Sequence, residues 1–124
     1  MTYHLLSAEM VELIHDEVLN PGELPGRAQD KSLDDALARV DKRLAYGMIT
    51  DVFALAAAYG VVIATGHCFN DGNKRTAHRS MDVCLDLNGV EIAWDVVEVG
   101  DQMIRVARGL VDEEELAGCL RGQI

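Results

Sequence analysis

Residues 52–70 are nineteen consecutive residues without a formal charge, in a chain of 124. Such a run approaches the length of a membrane span. Tyr59, Gly60, Thr65, Gly66, His67 and Asn70, together with many alanines, make it only mildly apolar. A helix that is apolar all round and sits at the centre of a bundle accounts for it better. A buried central helix needs amphipathic neighbours to cover it, and the flanking sequence supplies them.

Ser7 is placed as an N-cap, with Met10, Leu13, Ile14 and Val18 behind it at helical spacing. Asn20-Pro21-Gly22 stops this first helix. Residues 20–31 hold both prolines of the chain and read as an irregular loop, either a connector or the border of a site. Ser32 caps a second helix with Asp34 and Asp35 in its first turn and Leu33, Leu37, Val40 and Leu44 on one face; Gly47 closes it. Thr50 or Asp51 caps the third, which runs to about residue 65 with Gly66 as its stop. A fourth begins near Gly72 or Asn73, carries Met81, Val83, Leu85 and Leu87, and ends at Asn88-Gly89. Residues 90–94 are short and extended. Asp95 caps a fifth helix with Val96, Val99, Met103, Ile104 and Ala107 inward and Gly109 at its end. The acids at 112–115 open a sixth, with Leu116 and Leu120 apolar. The expected fold is all-α: a compact six-helix bundle in one domain, residues 1–124, with a loop leading into a central helix.

The net charge of −10 excludes direct nucleic-acid binding, which needs a basic face. Against that background Lys74, Arg75 and Arg79 form a local positive cluster. Cations at a helix start are unfavourable unless an anion joins them. Three cysteines without a Cys-x-x-Cys pair fit reduced thiols in the cytoplasm. The N-terminus lacks a basic segment followed by an apolar run, so no secretory signal is read, and no membrane association is expected.

The chemistry concentrates in His67-Cys68-Phe69-Asn70-Asp71-Gly72-Asn73-Lys74-Arg75. A loop entering a helix presents unpaired N–H groups at the positive end of the helix dipole, which suits phosphate. An imidazole ordinarily titrates near about 6.5 and can take a proton at neutral pH; the plainer role for His67 is a hydrogen-bonded boundary residue. Asp71 is either a helix cap or a Mg²⁺ ligand, since Mg²⁺ takes few protein carboxylates and shares its other positions with phosphates and water. Gly72-Asn73 allows the tight backbone turn that exposes successive N–H groups. Phe69 anchors the loop from below. Cys68 reads as structural, because nothing places a base beside it. A zinc site from His67, Cys68, Asp71 and His78 fits the residue types but no common ligand spacing.

This string resembles the signature of the Fic/Doc family, His-x-Phe-x-Asp/Glu-Gly-Asn-Gly/Lys-Arg. Lysine at Lys74 is the variant of its Doc, or death-on-curing, branch. Gly22-Glu23-Leu24-Pro25-Gly26, Arg43-Leu44-Ala45-Tyr46, Ile49-Thr50-Asp51-Val52-Phe53 and Lys74-Arg75-Thr76-Ala77 are similar to that branch too. The resemblance implies a toxin of a toxin–antitoxin pair, a protein kinase that uses ATP and Mg²⁺ to phosphorylate a threonine of elongation factor Tu and halt translation. It implies His67 as general base, Asp71 as Mg²⁺ ligand, and Gly72, Asn73, Lys74 and Arg75 as the nucleotide-binding turn. Relatives with glycine in place of lysine transfer AMP to a hydroxyl, which is the alternative activity; a non-catalytic antitoxin-binding module is a third reading. Many Fic proteins carry a second arginine where this chain has His78, with Arg79 one residue further. The Doc branch also lacks that arginine. The family's inhibitory Ser/Thr-x-x-x-Glu string is absent, which implies restraint by a separate antitoxin acting in trans.

Overall fold

A computed structural model describes residues 2–29, 31–93 and 95–123, with Val96 described by its backbone only. Six helices follow in order: α1 (Ala8–Val18), α2 (Leu33–Ala45), α3 (Val52–Gly66), α4 (Asn73–Leu87), α5 (Val96–Ala107) and α6 (Glu113–Arg121). The expected all-α bundle is the observed one. α3 packs against α2, α4, α5 and α6, and α1 lies across α4 and α2.

The uncharged run forms the middle of this assembly. Leu55, Ala56, Ala57, Ala58, Tyr59 and Ile63 of α3 are fully buried. Gly60 lets α4 approach: a Cβ there would stand 2.5 Å from Sδ of Met81 and 3.3 Å from Cδ2 of Leu116. The one polar tip on this stretch is satisfied, because the Leu6 N–H donates to the Tyr59 hydroxyl at 3.0 Å. Burial pushes that phenol up to about 12. No helix among the described residues is long and apolar enough to cross a membrane.

Five helix starts are closed by their own side chains. Ser7, Ser32, Asp51, Asp95 and Asp112 each accept from a backbone N–H of the first turn. Asp51, and not Thr50, caps α3. α4 differs. Its N-cap is Gly72, with φ of 78°, and among the described residues no side chain caps its first turn.

Several faces differ from the sequence expectation. α1 buries Val11, Ile14 and His15, while Leu13 is exposed, because α1 lies against α4 and α2 with the side opposite Leu13. α4 buries Thr76, Ala77, Ser80, Met81, Cys84 and Leu85, and Leu87 is exposed at its end. On α5, Val99, Met103 and Val106 face inward and Ile104 faces solvent; the Val96 side chain lies outside the described residues. Residues 90–93 have no regular structure, and Trp94 lies outside the described residues.

Candidate active site

Gly66 is the last residue of α3, and His67 takes the left-handed conformation beyond it, with φ 50° and ψ 40°. Among the described residues it is the only one other than glycine with positive φ. Such a conformation costs on the order of 1 kcal/mol or more, and it persists where surrounding contacts impose it. Those contacts are present. The next residues, Cys68 and Phe69, are buried, which leaves His67 exposed at the rim.

Phe69 fixes the loop floor. Its ring stacks on His15 of α1, with centroids 3.9 Å apart and planes 8° from parallel. His15 is fully buried, and its Nε2 donates to the Asp71 carbonyl at 2.7 Å. Asn73 then clamps the loop to the helix it opens. Its side-chain carbonyl accepts the Phe69 N–H at 3.1 Å, and its NH₂ donates to the Phe69 carbonyl at 2.9 Å. Both functions of the amide are spent on backbone, so what Asn73 offers outward is its own N–H in the first turn of α4.

The loop at 20–31 is a wall of the site. Ala28 N–H donates to the Cys68 carbonyl at 2.8 Å, and Asn70 N–H donates to the Gly26 carbonyl at 3.2 Å, forming one antiparallel bridge between Arg27 and Phe69. The Asn70 side chain donates to the Pro25 carbonyl at 3.0 Å. Arg27 ties the loop to α1 and α2 through Glu12 and Asp34. The Leu24 N–H reaches Oδ2 of Asp71 at 2.8 Å. Glu23 grips Arg75 with both carboxylate oxygens, at 2.7 and 2.5 Å, and Arg75 also donates to the Val18 carbonyl at 3.0 Å. The guanidinium holds the Glu23 carboxyl below its ordinary value.

The nine-residue string therefore converges on one end of α4. His67 stands exposed on one side and Asp71 is half-buried behind the turn. Gly72 is the N-cap, where its positive φ requires glycine. Lys74 is exposed and lines a cleft of about 200 Å³ with Arg75, His78 and α5 residues Gly100, Met103 and Ile104. Arg79 is turned away, held by Asp82 and Glu17. Burial lowers the pKa of His78 against the pull of Asp82. Cys68 is buried and its thiol is pushed up, so it is a poor nucleophile. Two residues that shape the site, His15 and Glu23, were not singled out by the sequence. The signal for His15 was its spacing of four from Val11, on the buried side of α1; the signal for Glu23 was a single acid inside a Pro/Gly turn of a chain with a nearby cation pair.

The first turn of α4 thus offers N–H groups that no side chain covers, two cations, a carboxylate and an exposed imidazole. Phosphate is the ligand class for which such a helix start is suited. Mg²⁺ binds through one or two carboxylates plus phosphate oxygens, and the single Asp71 carboxylate, with one oxygen on Leu24 N–H, fits that donor set.

Residues 5–85 match the model of the Fic/DOC family. The chain is 36% identical over 118 residues to "Protein kinase doc" of Escherichia phage P1, covering 95% of this chain and 93% of that protein. It is 34% identical over 105 residues to "Toxin Doc" of Mycolicibacterium smegmatis, covering 82% and 79%.

Proposed function

The chain belongs to the Fic/DOC family, and from that premise we propose that it is a cytoplasmic toxin of a toxin–antitoxin pair, a kinase that moves the γ-phosphate of ATP to a threonine or serine hydroxyl of elongation factor Tu. The names of its two relatives, a protein kinase and a toxin, support the class of activity. The observation that carries the reading is the start of α4 without a side-chain cap, in the same loop as an exposed histidine in the left-handed conformation.

In this reading the polyphosphate lies against the N–H groups of Asn73, Lys74 and Arg75. The Lys74 ammonium adds charge where a glycine would only admit closer backbone approach. Arg75 reaches the phosphates by exchanging one bidentate anion, the Glu23 carboxylate, for another. Asp71 is the residue that would hold Mg²⁺, which supplies charge neutralisation at the phosphate oxygens when bound. The acceptor hydroxyl oxygen bonds to the γ-phosphorus, the bond from that phosphorus to the β–γ bridging oxygen breaks, and ADP leaves. His67 takes the hydroxyl proton. Little covalent work falls to the protein in such a transfer; positioning and charge dominate. The αL turn fixes the imidazole on the rim, and the His15–Phe69 stack fixes the turn. Restraint by an antitoxin in trans completes the proposal.

The experiment is transfer from doubly labelled nucleotide. Purified protein, elongation factor Tu, Mg²⁺ and ATP labelled at the γ position are expected to give labelled elongation factor, with no transfer from His67→Ala. Label arriving only from the α position would replace this reading with AMP transfer. Label from neither, with an antitoxin still bound, would leave a binding module.

A further inference from the structure

A second cavity lies beside the chain segment that carries His67. It measures about 440 Å³ and lies between the start of α2 and the end of α3. Its walls include Lys31, Ser32, Asp35 and Arg39 on one side and Gly66 and Cys68, the two chain neighbours of His67, on the other. Lys31 and Arg39 are both exposed, and neither is paired with a carboxylate among the described residues. Arg39 leaves unused even Asp35, one turn before it on the same helix. In a chain with 21 acids against 11 bases, two such cations without a carboxylate partner among the described residues are not what composition favours. Their field reaches the cavity floor: Arg39, Arg27 and Lys31 all pull the Cys68 thiol down while burial pushes it up. Arg27 is already committed to Glu12 and Asp34, so among the described residues at this cavity Lys31 and Arg39 are the cations open to a ligand.

We propose that the Lys31–Arg39 cavity is a docking subsite for acidic side chains that flank the acceptor hydroxyl of the target polypeptide. This rests on the transfer reading above. In-line phosphoryl transfer sets the attacking and leaving oxygens on opposite sides of the phosphorus. An acceptor hydroxyl brought to His67 sets its flanking residues beside this cavity, whose wall holds both chain neighbours of His67. Complementary charge there steers encounter and fixes register more than it adds raw affinity.

The test is a titration of the isotope-labelled full chain with a blocked pentapeptide carrying threonine between pairs of glutamates, and with its glutamine counterpart. The amides of Ser32, Thr65, Gly66 and Cys68 are expected to shift with the acidic peptide and not with the neutral one. Arg39→Gln and Lys31→Gln should each weaken binding on the order of fivefold, as for a partly screened ion pair. His67→Ala should leave these shifts intact, so the subsite is read independently of transfer: absent γ-label sinks the functional reading, and absent shifts sink this one. Still amides, an equal response to the neutral peptide, unchanged binding in the double variant, or displacement of the peptide by ATP would each overturn the proposal.

Discussion

Replacing Asn73 separates a loop clamp from a phosphate contact. Its side chain satisfies both the N–H and the carbonyl of Phe69, a residue 3% exposed. In Asn73→Ala two backbone groups lose their partners, at about 1–3 kcal/mol each when dry and toward the lower end at this half-buried site. Alanine regains up to about 0.7 kcal/mol of helix propensity. The net loss is about 1.5–2.5 kcal/mol, or roughly 6–10 °C in Tm for a domain of this size. Asn73→Asp is the sharper test. An aspartate at the first position of α4 should gain about 0.3–1 kcal/mol from the helix dipole. It can still accept from the Phe69 N–H, but it sets a carboxylate against the Phe69 carbonyl where the amide donated. The clamp account therefore expects Asn73→Asp to lose stability despite the dipole. Thermal and urea unfolding of both variants is the assay. A Tm for Asn73→Asp at or above that of the parent would refute the clamp.

Gly60→Ala gains about 1 kcal/mol of helix propensity but drives a Cβ to 2.5 Å from the fully buried Met81 sulfur; overpacking of about 1–3 kcal/mol should win, lowering the urea midpoint, and a stabilised variant would contradict the packing. Glu23→Gln should tighten ATP binding several-fold in a fluorescent-nucleotide titration, because the neutral amide competes less well for Arg75; weaker binding would make the pair a support for the site instead of a competitor. The same contact has a pH sense. The Glu23 carboxyl sits below its ordinary 4.5, so its hold on Arg75 is full above that value and is lost as pH falls through the lowered one; chemical shifts of the Arg75 side chain should move only in that acid window. Burial pushes the Cys84 thiol up to about 12 and raises that of Cys68, so iodoacetamide should spare both at neutral pH until denaturant is added, and rapid native labelling of Cys68 would contradict its place in the loop floor.

Much of this was legible in the residues. Caps and stops are local, so Ser7, Ser32, Asp95, Gly47 and Gly109 marked helix ends, and the uncharged run identified the central helix. Inward faces were harder, because Leu13, Leu87 and Ile104 are apolar residues whose direction is set by which neighbour a helix meets. The nine-residue string located the site, but its geometry depends on partners far along the chain. His15 reaches Asp71 across 56 positions and Glu23 reaches Arg75 across 52, and neither pairing has a local signature. The loop at 20–31 read equally well as a connector until its bridge to Phe69 placed it against the site.

The account stands on phosphate settling at the open start of α4. Titrating the isotope-labelled protein with ATP and Mg²⁺ reads this directly at the backbone amides of Asn73, Lys74 and Arg75. They are expected to shift most and to saturate together, while the amides of Met10, Asp35 and Ala54, already taken by the caps Ser7, Ser32 and Asp51, stay where they are. Still amides in the first turn of α4, with the largest shifts elsewhere, would contradict it.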